Sequence, residues 1–122
     1  MISQEKRSAI QSISQRINKH CGDIKKIADA IVEAQNNNPK SSLNQLFDSA
    51  KSRMLRTVIV NTVKTYESIR NDVGRIADFK GVDFENMFPK LDVNFETYYT
   101  IAISMLNLIY QLQYMRIYCQ TL

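Results

Sequence analysis

Turn-forming residues are scarce in this sequence, with three glycines and two prolines in 122 residues. An all-β chain needs more of both for its tight turns, so the scarcity leans the chain toward helices. Cysteine is nearly absent too. Cys21 and Cys119 stand far apart and make no disulfide framework. Free thiols in a cytoplasmic protein are the expectation. His20 is the only histidine, which leaves no ligand set for a metal, and neither metal nor cofactor is expected. The opening stretch MISQEKRSAIQS lacks the apolar core that a signal peptide requires. There is no phosphate-binding glycine loop and no paired-cysteine motif. One histidine without a clear nucleophile or carboxylate partner offers no triad. These absences point away from an enzyme.

What is present is a single domain's worth of chain, residues 1–122, with 44% apolar and 23% charged residues, a normal globular composition. Ile10, Ile17, Ile24 and Ile31 recur every seven residues, and Ile13, His20, Ile27 and Ala34 recur three residues later. These are the a and d positions of a heptad held for four repeats. The outward positions are polar, among them Gln11, Gln15, Asn18, Lys19, Lys25, Lys26 and Asp29. The pattern predicts one helix from about Ser3 to about Gln35, with Ser3 as N-cap. Gly22 falls on its wet side. His20 belongs to the apolar seam and needs a polar partner there. Cys21 points about 100° away from it, so the two do not converge on one metal ion.

The stretch NNNPKSS reads as a linker. Asn36 suits a left-handed C-terminal position, Pro39 prevents continuation, and Ser42 with Gln45 makes a capping box. A second helix is expected over about Leu43–Phe79, with a bend or break near 49–52, and Gly81 ending it. Met54, Leu55, Val58, Thr62, Tyr66, Ile69, Val73 and Ile76 gather on one side of it. GVDFENMFPKLD is a connector with one short turn at Asp83–Met87, whose Phe84, Met87, Phe88 and Leu91 pack on the bundle. Asp92 or Asn94 caps a last helix that runs to about Gln120.

That last helix carries no charged side chain from Thr97 to Met115. Thr97, Thr100, Ser104, Asn107 and Gln111 form a narrow polar stripe along it. Asn107, Gln111 and Gln113 would be costly in lipid, so a membrane span is not expected. The helix should be buried on most sides, as a central bundle element or an oligomer interface. Tyr110, Tyr114 and Tyr118 fit core or interface positions, with a base-stacking platform beside Arg116 as the alternative. The fold class is therefore all-α, a bundle of three long helices plus a short connector turn. Ile at both a and d, with a nearly uncharged third helix, implies self-association or assembly with other subunits.

The net charge is +4, and its distribution is uneven. Residues 1–42 and 43–81 each hold seven Lys and Arg against four acids, whereas residues 82–122 hold two against four. On the second helix Arg53, Lys64 and Arg75 are eleven residues apart, about 16 Å between neighbours at 1.5 Å per residue. Thr57, Asn61, Ser68 and Asn71 fill the gaps. No acid lies within this stripe, with Glu67 and Asp78 at its borders. Cationic, hydroxyl and amide groups hold a phosphate backbone without reading bases. These seven residues are the candidate nucleic-acid contacts, with single-stranded RNA or DNA as partner.

In size, helical content and basic charge the chain resembles the small helical subunits of CRISPR effector complexes. That resemblance implies a non-catalytic, antiviral-defence subunit lining the nucleic-acid path of a larger assembly. It rests on whole-chain character and assigns no residues. Arg16 and His20 also resemble the arginine–histidine pair of helical HEPN ribonucleases. Here the three-residue spacer is shorter than that family's, and Ile17 stands where a polar residue is usual. The alternative expectation is a cytoplasmic helical adaptor, chaperone or immunity-type protein that uses the same seams to bind a protein partner.

Overall fold

The isoleucine heptad forms one unbroken helix, α1, spanning Gln4–Asn37. A computed structural model describes residues 3–37, 50–77 and 82–122. Ser3 caps α1: its Oγ accepts from the Lys6 amide at 3.2 Å, and its carbonyl accepts from Arg7. Ile13, Ile17, His20, Ile24, Ile27 and Ile31 are buried, and Ile10 and Ala34 are half-buried. Each fully buried isoleucine contributes about 1.5–3 kcal/mol relative to exposure. Gly22 is exposed, and a Cβ there would meet nothing within 4 Å. The helix runs through Asn36 and Asn37, which corrects the expected left-handed stop at Asn36. Once a helix is nucleated, each further residue adds a hydrogen bond at little cost, and asparagine alone does not end it. Pro39 and the Ser42–Gln45 capping box lie outside the described residues.

The second helix, α2, spans Ala50–Ala77. The expected stretch before Ala50, and the stop at Phe79 and Gly81, lie outside the described residues. Ile59, Thr62, Tyr66, Ile69 and Val73 form its buried face. Two expectations change. Met54 and Val58 are exposed, whereas Ile59 and Arg70 are buried. The reason is that α2 is flanked by α1 on one side and by the chain after Val82 on the other, which turns its buried arc toward Ile59 and Arg70.

Helix α3, Val82–Met87, is the expected short turn. After it the chain returns in extended form alongside α2. Arg70 anchors this return. Its Nε donates to the Phe88 carbonyl at 2.6 Å, and its guanidinium lies 4.5 Å over the Phe84 ring. Its Nη2 sits 2.7 Å from Glu85 Oε2, an ion pair by distance that lacks hydrogen-bond alignment. Tyr66 donates to the Pro89 carbonyl at 2.9 Å. Gly74 admits the Phe84 ring, which a Cβ would meet at 3.2 Å. Phe88 is fully buried and meets the rings of Phe84, Tyr114 and Tyr118.

The last helix, α4, spans Tyr98–Gln120. Its N-cap is Thr97, in a capping box with Thr100, and not Asp92 or Asn94. Those two side chains are committed one turn earlier, Asp92 accepting from the Val93 amide and Asn94 from the Glu96 amide. Ile101, Ser104, Met105, Leu108, Leu112, Met115 and Cys119 face the core. Ser104 is thus inside and not on a wet polar line; its Oγ donates to the Thr100 carbonyl and accepts from the Asn94 amide. The helix is buried along one face, not most of its circumference.

Arg16 meets Asp72 and His20 meets Thr62, so α1 and α2 are antiparallel. Arg56 meets Phe95, and Phe88 meets Tyr114 and Tyr118, so α4 runs parallel to α2. The most extensive helix pairing is α1 with α4. One core joins all three long helices and the return segment. Every described regular element is helical, as an all-α bundle requires.

Candidate nucleic-acid interface

The outward face of α2 is built by helical spacing. Arg53, Thr57, Asn61, Lys64, Ser68, Asn71 and Arg75 fall within about 80° of arc at 3.6 residues per turn. All seven are exposed. The arc lies opposite Tyr66, Val73 and Ile69, whose burial orients it. Thr57 Oγ1 donates to the Arg53 carbonyl at 3.1 Å, so its proton is used within the helix and its lone pairs face out.

The stripe is not free of acid. Asp72 stands at its margin, one turn before Arg75, and its carboxylate accepts from Arg75. Across the helix interface Arg16 Nη1 reaches the other oxygen of Asp72 at 2.6 Å, and Arg16 Nη2 lies 3.5 Å from Ser68 Oγ. The hydrogen bond from Arg16, with help from Arg75, holds the Asp72 carboxyl below the ordinary carboxylate range. Two cations share one anion, so the cluster keeps a net positive charge. The Arg75 side chain remains 78% exposed. Residues of α1 therefore border the α2 stripe, which helical spacing on α2 alone did not disclose. The signal lies in the α1 heptad. Position g, flanking a, holds Arg16 and Asp23, while the other flank holds Ser14, Cys21 and Ala28. The charged flank faces α2 and the small, uncharged flank faces α4.

Farther along the same interface an open groove of about 360 Å³ is lined by His20, Asp23, Lys26, Asn61, Thr62 and Thr65, with Ile27 and Val58. His20 Nε2 donates to the Thr62 carbonyl at 3.1 Å. Burial pushes the imidazole below its ordinary pKa, against the opposing effects of the Thr62 carbonyl and Asp23. Arg16 is turned toward Asp72 and His20 toward Thr62, so the two do not act on a common point. Burial raises both the Cys21 and Cys119 thiols, which makes them poor nucleophiles. Among the described residues, no three His, Cys, Asp or Glu side chains gather as a metal site would require.

The tyrosines of α4 divide. Tyr110 and Tyr114 are exposed, and Tyr118 is half-buried against Phe88. Arg116 Nε donates to Gln113 Oε1 at 2.8 Å. No protein family, curated protein or solved structure matches this chain. Among the described residues no helix is long and apolar enough to cross a membrane.

Proposed function

We propose that this protein is a non-catalytic helical subunit that holds a nucleic-acid backbone along the outward face of α2, in the manner of the small subunits of CRISPR effector complexes. The observation that carries the reading is the simultaneous exposure of three cations and four hydroxyl or amide side chains on one arc of one helix. Cations spaced about 16 Å apart neutralise separated phosphates, and the polar side chains between them donate or accept hydrogen bonds from the backbone. Lys64, at the centre, makes no ion pair among the described residues. Arg16 supports Arg75 by sharing Asp72, which holds the guanidinium in place while leaving its outer edge to a phosphate. The partner is single-stranded RNA or DNA held without sequence readout, within a cytoplasmic assembly.

The test is a salt titration of binding to single-stranded RNA and DNA. Phosphate contacts give an affinity that falls steeply and log-linearly with salt. Substituting Arg53, Lys64 and Arg75 together by Gln should weaken binding and flatten the slope by about one counterion per cation removed. Unchanged affinity in a folded triple variant would overturn the reading. A salt-tolerant protein partner in its place would establish the adaptor alternative, for which the exposed apolar side chains of α4 are the supporting observation.

A further inference from the structure

Helix α4 has a second apolar face. Tyr99, Ile103, Leu106, Tyr110, Tyr114 and Ile117 are all exposed, with Tyr99 at 72%, Tyr110 at 69%, Leu106 at 57% and Ile117 at 56%. Their spacings of three and four place them on one stripe, opposite Ile101, Met105, Leu108 and Leu112. The stripe is ~27 Å long at 1.5 Å per residue. A helix apolar on both faces is one that is covered on both faces. The core covers one, and nothing in the described chain covers the other.

We infer that the second face is covered by α4 of a second copy of this chain, packed antiparallel about a two-fold axis that crosses the exposed face midway between Leu106 and Tyr110. Three features favour this occupant. The area fits: with large side chains contributing on the order of 200 Å² each when fully exposed, the six leave roughly 600 Å² per copy. Two copies face to face then bury about 1,200 Å², the lower bound of stable specific interfaces. The charge fits, because Arg116 is the only charged residue from Thr97 to Ile117 and helical spacing places it off the stripe, bonded to Gln113, so two identical, net-positive chains meet here without setting an ion against its own copy. Alternation of large and smaller facing side chains favours one direction. Antiparallel pairing sets Tyr99 against Ile117, Tyr110 against Leu106, and Tyr114 against the Ala102–Ile103 pair. Each aromatic ring then faces an aliphatic side chain. Parallel pairing sets each tyrosine against its own copy. An isologous contact closes at two copies.

The α2 stripe faces away from its own core on a different helix, so the dimer would leave both stripes open and present two backbone tracks. The inference does not rest on the nucleic-acid reading: a dimer that ignores RNA would remove that reading and leave this one standing.

Sedimentation velocity on the full chain from about 1 to 100 µM tests it, since interfaces of standard size commonly hold at micromolar concentrations or below. The wild type should dimerise, and Leu106→Glu should be monomeric with unchanged helical circular dichroism. Leu106→Glu combined with Tyr110→Lys should recover the dimer, because the antiparallel register places Glu against Lys twice. Tyr110→Lys alone serves in place of Leu106→Glu if the latter loses helicity. A monomeric wild type at the highest concentration, a dimer indifferent to these substitutions, or a double variant that stays monomeric would each overturn the inference.

Discussion

His20 of α1 donates from Nε2 to the carbonyl oxygen of Thr62 on α2 at 3.1 Å, inside the helix interface. Burial lowers the pKa of this single histidine below its ordinary value, against the hydrogen bond to Thr62, which favours the protonated ring. Below about pH 6.5 the unfolded chain takes up a proton that the folded chain resists. Stability should then fall with acidification, starting near the unfolded value and levelling off once the pH passes below the folded one. The slope is bounded by one proton, about 1.4 kcal/mol per pH unit. Denaturant midpoints measured between pH 8 and pH 5 should show this decline, and His20→Gln should abolish it.

Asp72 controls how much of the cluster's charge reaches solvent. Replacing it by Asn leaves Arg16 and Arg75 without their shared anion. If the α2 stripe binds a phosphate backbone, Asp72→Asn should tighten binding several-fold at low salt and steepen the salt dependence. The same change should weaken folding in one pH range only. The folded carboxyl is held below its unfolded pKa, so its contribution is present above about pH 4 and lost as the pH falls through the folded value. Wild type and Asp72→Asn should converge in stability at low pH, which urea titrations at pH 2.5 and pH 7 would check.

Gly22 sits mid-helix on the solvent face of α1 with open space around its Cα. Alanine there should stabilise the protein by about 1 kcal/mol through helix propensity alone. A rise in Tm of about 3–6 °C is the expected readout for a chain of this size. Gly74→Ala should gain less than Gly22→Ala, because its Cβ would meet the Phe84 ring at 3.2 Å and that ring, set against Arg70 and Phe88, must give way.

Arg70 ties α2 to the return segment through the Phe88 carbonyl, the Phe84 ring and Glu85. Arg70→Ala removes all three contacts and leaves a cavity beside Phe88, at a cost of about 2–5 kcal/mol. Lys cannot reproduce the planar contact with Phe84 together with the Nε bond, so Arg70→Lys should recover only part of the loss. Thermal denaturation of the two variants would rank them.

Several elements follow from local pattern alone. The Ile10–Ile31 heptad specified the seam and buried face of α1 but not its C-terminal end, because a helical period admits one arrangement of apolar side chains and says nothing of where the helix stops. The same argument placed all seven stripe residues of α2 in solvent, since an arc opposite Tyr66 and Val73 has nowhere else to point. The cap of α4 did not follow. Asp92, Asn94 and Thr97 are all good N-caps, and only the path of the return segment, pinned by Arg70 and Tyr66, decides which one meets the first turn.

Inter-helix placement belongs to tertiary structure. One-dimensional spacing puts Asp72 merely at the edge of a stripe; antiparallel packing brings Arg16 against it and makes an ion cluster from residues 56 positions apart. Nothing in the local pattern marks Arg70 for burial; the Phe84 ring and the Phe88 carbonyl, brought beside it by the return segment, replace its hydration. Helix α4 shows the distinction most sharply. Its sequence is apolar around all but one narrow polar stripe, so burial on most sides is the natural expectation. Helices α1 and α2 and the return segment cover only one face of it, because each has one α4-facing side to offer. Periodicity reports which side chains avoid water, whereas the number and direction of the packed neighbours decide which of them one chain can cover.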